Sequence, residues 1–180
     1  MNPYVKLARM AVERYIEKRE VIEVPENLPR EMLEKQAGTF VTIKKKGKLR
    51  GCIGTYLPTK KNIAEEIIYN AISAATEDYR FGPVQHEELP YLTYTVYILS
   101  EPRQIKNIQE LDPKRYGILV KTLTFPQKSA LLLPDLEGID TIEKQIFAAC
   151  QKGGIDLEKE KLTIYKFEAK KFIEDTKNDK

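Results

Sequence analysis

The sequence predicts an α+β protein with a largely antiparallel sheet flanked by helices. Three observations carry this. Several stretches place apolar residues at helical spacing behind capping residues, β-rich runs are joined by short turn signals, and the regular strand–helix–strand alternation of a doubly wound sheet is missing. With 180 residues, 42% of them hydrophobic, the chain can bury a sizeable core, and its 32% of charged residues give a well-solvated surface.

Taken in order, the first helix is read from Tyr4, Leu7, Ala8, Ala11, Val12, Tyr15 and Ile16, with Asn2-Pro3 supplying the cap and first turn. Pro25 and Pro29 bracket a loop, and Glu31 to Lys35 reads as one helical turn. Thr39 to Lys44 and Lys48 to Gly54 flank Lys45-Lys46-Gly47, a hairpin whose glycine takes the positive φ of the turn. Asn62 with Glu65 forms a capping box, and Ile63, Ile67, Ala71 and Ala74 or Ala75 continue it as a buried stripe.

The loop Asp78-Tyr79-Arg80-Phe81-Gly82-Pro83 carries an unusual load of arginine and aromatics. Leu92 to Ser100, Ile118 to Leu123 and Ser129 to Leu133 read as strands, the last two joined around Phe125-Pro126-Gln127. Asp140 with Glu143 repeats the capping box; Ile142, Ile146 and Cys150 then share a helical face that Gly153-Gly154 terminates, which makes Cys150 a core residue. A final strand, Leu162 to Ala169, precedes a charged, frayed tail at 175–180, so one domain is expected over 1–174.

Thirty basic against 27 acidic side chains leave only +3, too little to announce a nucleic-acid domain. No uncharged apolar run approaches the roughly 18 residues of a membrane span, and the charged amphipathic start lacks the apolar core of a signal peptide. A cytoplasmic protein without a membrane partner is expected. Cys52 and Cys150 match no CxxC pattern, so reduced thiols are expected. No GxGxxG, Walker A, HExxH or GxSxG occurs, nor the CxxxCxxC of a conventional radical-SAM enzyme. Neither a cofactor nor a metal site is expected.

The stretch richest in chemistry is Leu49-Arg50-Gly51-Cys52-Ile53-Gly54-Thr55. Alternation along a strand puts Leu49, Gly51 and Ile53 on one face and Arg50, Cys52 and Gly54 on the other, with Arg50 and Cys52 about 7 Å apart at Cβ. A guanidinium at that range favours the thiolate, and Gly51 and Gly54 leave room for a ligand or a backbone to approach. A nucleophilic, anion-binding or redox-sensitive site is one reading. The other makes Cys52 a small core hydrophobe, sends Arg50 to solvent and gives the glycines to a bulge.

His86 is the only histidine. Pairing it with Cys52, oriented by Glu87 or Glu88, would give a Cys-His nucleophile; a surface histidine in an acidic loop is the simpler reading. Gly51-Cys52-Ile53-Gly54 is formally a GxxG, and with Lys44, Lys45, Lys46, Lys48 and Arg50 nearby it keeps RNA as a candidate partner. The GxxG of a KH module, however, joins two helices, whereas this one sits in a predicted strand.

At Leu49-Arg50-Gly51-Cys52-Ile53-Gly54 the chain resembles the AMMECR family. Agreement extends through Gly38-Thr39-Phe40-Val41-Thr42, the 78–83 loop, Glu88-Leu89, Leu99-Ser100-Glu101-Pro102, Leu131-Leu132-Leu133-Pro134 and Tyr165-Lys166-Phe167. Tyr79 stands where the family often has proline, and Lys152-Gly153-Gly154 where it often has Lys-Ala-Gly. The resemblance implies two unequal lobes in one compact domain, with the Arg-Gly-Cys segment lining a cleft between them. It also implies kinship with protein A of the AmmeMemoRadiSam system, whose partners are a Memo-like protein and a radical-SAM protein.

The expected function is therefore a component of a macromolecule-modifying system with no assigned reaction. Cys52 is the expected nucleophile or transient carrier, Arg50 its anion-binding electrostatic partner and Arg80 a second anion contact. Gly51 and Gly54 shape the site, and Thr55 donates a hydrogen bond to a bound group. The alternative is a non-catalytic adaptor that binds RNA or a protein through the same cleft.

Overall fold

Helix α1 (Pro3–Lys18) starts where the Asn2 side chain accepts the Tyr4 backbone N–H at 3.0 Å, with Pro3 in the turn whose N–H groups have no helical acceptor. This computed structural model describes residues 1–174. The expected tail at 175–180 lies outside them. A short helix, α2 (Arg30–Glu34), leads to strands β1 (Thr39–Lys45) and β2 (Lys48–Thr55). Their turn uses positive φ at both Lys46 (48°) and Gly47 (79°), as a two-residue hairpin of matching twist requires, rather than at the glycine alone.

Asn62 caps helix α3 (Ile63–Thr76) by accepting the Glu65 N–H at 2.9 Å. After a 3-10 turn at His86–Tyr91 comes β3 (Leu92–Leu99). The remaining elements are β4 (Arg103–Gln104), β5 (Gly117–Thr122), β6 (Ser129–Leu132), helix α4 (Ile142–Gly153), β7 (Leu162–Phe167) and β8 (Ala169–Ile173).

The strands form two four-stranded sheets, ordered β2-β1-β3-β8 and β4-β7-β5-β6. The pairings of β1 with β2 and β3, and of β7 and β5 with their neighbours, are antiparallel. The chain divides into two units, one of Met1–Ile98 with the chain from Lys170 onward, the other of Leu99–Ala169. In the first, α3 lies on β1 and β2 and α1 packs on α3, around a core that includes Leu7, Val12, Val41, Ile43, Ile67, Ala71 and Val96. In the second, α4 covers β5 and β6 around Ile118, Val120, Ala149 and Cys150. Cys150 is a core residue, and burial pushes its thiol pKa up.

Two local expectations are corrected. Helix α4 is capped by Thr141, which accepts the Lys144 N–H, while Asp140 pairs with the Lys144 ammonium at 2.6 Å. The single strand expected at Leu162 to Ala169 is two strands in different sheets, β7 ending at Phe167 and β8 beginning at Ala169. Among the described residues no helix is long and apolar enough to cross a membrane.

Candidate functional site

Strand β2 is an edge of the first sheet, and its pairing with β1 shifts register once. Ile43 lies opposite Gly51 and Lys44 opposite Leu49, so Arg50 is the extra residue of a bulge. Strict alternation therefore does not carry from Cys52 back to Arg50. Beyond the bulge, Gly51, Ile53 and Thr55 lie opposite the buried Ile43, Val41 and Thr39, on the face that meets α3. Cys52 and Gly54 lie opposite Thr42 and Phe40, on the other face.

Cys52 is a free thiol, half-buried, with its Sγ 3.2 Å from the Thr42 hydroxyl. Its backbone N–H, on the open edge of the sheet, donates to Asp78 Oδ2 at 2.9 Å. Asp78 in turn accepts Nε and Nη2 of Arg80 at 2.9 and 2.7 Å and the Arg80 backbone N–H at 3.2 Å. These bonds, the Arg80 side chain foremost, hold the Asp78 carboxyl down to about 2 against the opposing effect of burial. The Arg80 pKa is raised, first by its bonds to Asp78, with smaller contributions from attraction to Asp78 and to the Cys52 sulfur.

The expected pairing of Arg50 with the sulfur is corrected on this geometry. Arg50 gives Nε and Nη2 to Glu88 at 3.0 and 2.9 Å and Nη1 to the Gly82 carbonyl at 2.8 Å, a bidentate arrangement that fixes the guanidinium. Lys45 adds a bond to Glu88 at 2.8 Å. Arg50 first, then Lys45 and the Gln85 N–H, hold the Glu88 carboxyl down to about 2, again against burial. Arg80 binds the carboxylate that accepts the Cys52 N–H, whereas Arg50 ties the bulge to the 82–88 segment. Phe81 lies between them, its ring centroid 6.0 Å from the Arg50 guanidinium and 5.5 Å from that of Arg80.

The glycines do not open a hollow beside the sulfur. A Cβ on Gly51 would strike the Ala74 carbonyl oxygen of α3, and one on Gly54 would strike the Phe40 ring and the Thr39 carbonyl. Their missing side chains let a helix backbone and a ring come close. Thr55 is committed as well, on the α3 side, donating to Glu66 at 2.7 Å and accepting from Asn70 at 3.2 Å. The buried Glu66 also takes the Thr59 hydroxyl and the Thr59 and Lys60 N–H groups, at 2.7–2.8 Å. This carboxylate pins the loop that follows β2.

His86 is exposed and lines a hollow of about 330 Å³ with Arg9, Glu13 and Glu17 of α1 and with Leu89 and Pro90. The sulfur's hydrogen-bond partner is instead the Thr42 hydroxyl, and Glu88 orients Arg50 rather than the histidine. No cluster of three or more His, Cys, Asp or Glu side chains able to hold a metal occurs among the described residues. Thr42 and Asp78 were not singled out from the sequence. Thr42 was findable only once β1 and β2 were in register, whereas Asp78 carries a local signal, an Asx turn to the N–H two residues on.

Fold and site together define an α+β protein of two antiparallel four-stranded sheets whose edge strand displays a thiol held by two ion-paired loops. The AMMECR1 family profile matches residues 5–172, and the chain belongs to that family. A protein of Thermotoga maritima is 47% identical over 172 residues, covering 95% of this chain and 97% of its own. One of Clostridium acetobutylicum is 47% identical over 167 residues, covering 92% of this chain but only 35% of that longer protein. The crystal structure of an uncharacterized protein from Pyrococcus horikoshii superposes with a TM-score of 0.85 at 32% identity, over 96% of this chain and 90% of that one.

Proposed function

We propose that this chain is a cytoplasmic component of a macromolecule-modifying system, working with a Memo-like protein and a radical-SAM protein, and that Cys52 is its reactive group. Kinship with protein A of the AmmeMemoRadiSam system is the reason for the setting. The observation that carries the chemistry is the surroundings of one sulfur. A half-buried free thiol has its backbone N–H fixed by Asp78, a hydroxyl 3.2 Å from its sulfur, and the ion pair of Asp78 with Arg80 beside it on the strand.

A cation beside a thiol favours the thiolate, the nucleophilic form. As a transient carrier, the Cys52 thiolate bonds to the electrophilic carbon of an activated group while that group's leaving atom departs with the bonding pair. A nucleophile of the macromolecule then displaces the thiolate and restores it. Arg80, whose side chain is 44% exposed, contacts the anionic part of the incoming group. Arg50 is a positioning residue that keeps Gly82 and Glu88 against the bulge.

The test is complementation of a cell lacking the chain, together with alkylation of its thiols. Cys52→Ala and Cys52→Ser are expected to abolish complementation, and iodoacetamide to label the half-buried Cys52 of the folded chain ahead of the buried Cys150. Full complementation by Cys52→Ala would overturn the catalytic role and leave a non-catalytic adaptor. Affinity purification of the wild-type chain is expected to recover the two partner proteins.

A further inference from the structure

We propose that the open edge of β2, from the hairpin tip to Cys52, is a binding track for a short single-stranded nucleic acid. The inference rests on reading this face as the functional one, but not on chemistry at Cys52. One exposed ring stands at the Cys52 end of the track, and a second stands across the hairpin tip, where β3 begins beside β1. Tyr79 is 96% exposed in the loop that Asp78 fastens to the Cys52 N–H, and Tyr91 is 51% exposed at the hairpin tip, where the Lys46 ammonium lies 4.6 Å from its ring centroid. Both are carried on segments fixed to the strand, because Arg50 bonds to Gly82 and to Glu88 and Lys46 donates its N–H to the Tyr91 carbonyl.

Strand rise puts roughly 15 Å between Cys52 and the hairpin tip, enough for a few nucleotides. Charge suits the phosphates. Glu88 and Asp78 are matched by Lys45, Arg50 and Arg80, while Lys46 and Lys48 are exposed with no carboxylate partner among the described residues. An unpacked ring on a loop has a free face for any base, which makes stacking tolerant of sequence. Bases inside a duplex are already stacked and out of reach. Charge between the two rings suits a strand of alternating bases and phosphates better than an apolar protein surface.

The experiment is fluorescence anisotropy with a labelled strand of about ten nucleotides, as RNA, as DNA and as the corresponding duplex, between about 50 and 200 mM salt. Saturable binding of the single strands is expected, weaker on the duplex, with log affinity falling against log salt. Tyr79→Ala is expected to weaken binding about tenfold at unchanged slope. Joint replacement Lys46→Ala and Lys48→Ala should reduce the slope by about 1.4, at about 0.7 per lost phosphate contact. Tighter binding of RNA than of DNA would make RNA the ligand; equal affinity would make either strand a ligand.

Complementation by Cys52→Ala would end the thiol chemistry and leave strand binding by the wild-type chain to judge the track, and failure of the strands to bind would leave complementation to judge the thiol. Circular dichroism confirms that each variant is folded. No saturable binding at the lowest salt, equal affinity for the duplex, or indifference to Tyr79→Ala would each overturn the proposal. So would a protein partner captured through Tyr79 by a chain that binds neither strand.

Discussion

A single methyl group on residue 51 would measure how closely β2 and α3 meet. It would run into the Ala74 carbonyl, a backbone atom that cannot swing aside. Gly51→Ala is therefore expected to force strand and helix apart at a cost of about 1–3 kcal/mol, read as a lower urea midpoint at unchanged m-value. An unchanged midpoint would show that the helix yields without cost. The signature around Cys52 made it legible that something comes close to these glycines, but not that the visitor is the protein's own α3 and Phe40. The place of Arg50 was likewise hidden. Arg50 is the sulfur's neighbour under strict alternation, yet the bulge that removes it is a property of two strands in register and leaves no mark in six residues of one of them.

Two loops are attached to β2 by one carboxylate each, Asp78 and Glu88, and that attachment has a pH dependence of definite sign. Both carboxyls titrate at about 2 in the folded chain, below the roughly 3.9 and 4.3 of unfolded Asp and Glu. Their stabilisation is fully present above about pH 4.5 and is lost as pH falls toward 2. Each two-unit shift converts to about 2.7 kcal/mol, and solvent screening near the surface reduces this to roughly 1–2 kcal/mol apiece. Asp78→Asn and Glu88→Gln should lower stability at pH 6 and converge on wild type near pH 2, measured by urea unfolding across pH; a constant deficit at every pH would refute the linkage. At this scale much was legible in advance. The Asn62 box and the Lys46-Gly47 turn are local codes, whereas Asp140 and Thr141 competed for one cap and the structure uses the second. The 3-10 turn that carries Glu88 escaped notice because it is short and contains Pro90.

Over the whole chain, the first unit is discontinuous: the backbone leaves it after Ile98 and returns at Lys170. Nothing in Phe167-Glu168-Ala169 signals a turn, which is why the passage from one sheet to the other read as one strand. What holds the returning segment is Glu174, only 7% exposed. It accepts Nε and Nη2 of Arg9 at 2.8–3.1 Å and the Tyr94 N–H at 3.1 Å, while its own N–H donates to the Tyr94 carbonyl. Arg9 lies over the Tyr94 ring, 4.9 Å from its centroid, and also bonds Glu13 and the Leu92 carbonyl, so the ion pair joins α1, β3 and the residue that follows β8. Removing one partner of such a pair costs more than the pair contributes, because the other charge and a buried N–H are left behind. Glu174→Ala is expected to cost about 2–4 kcal/mol. Hydrogen exchange should show the loss in α1 and β3, with the amides of α4 and β5 keeping their protection. Equal loss of protection in α4 and β5 would mean that Glu174 stabilises the fold globally rather than closing the unit it belongs to.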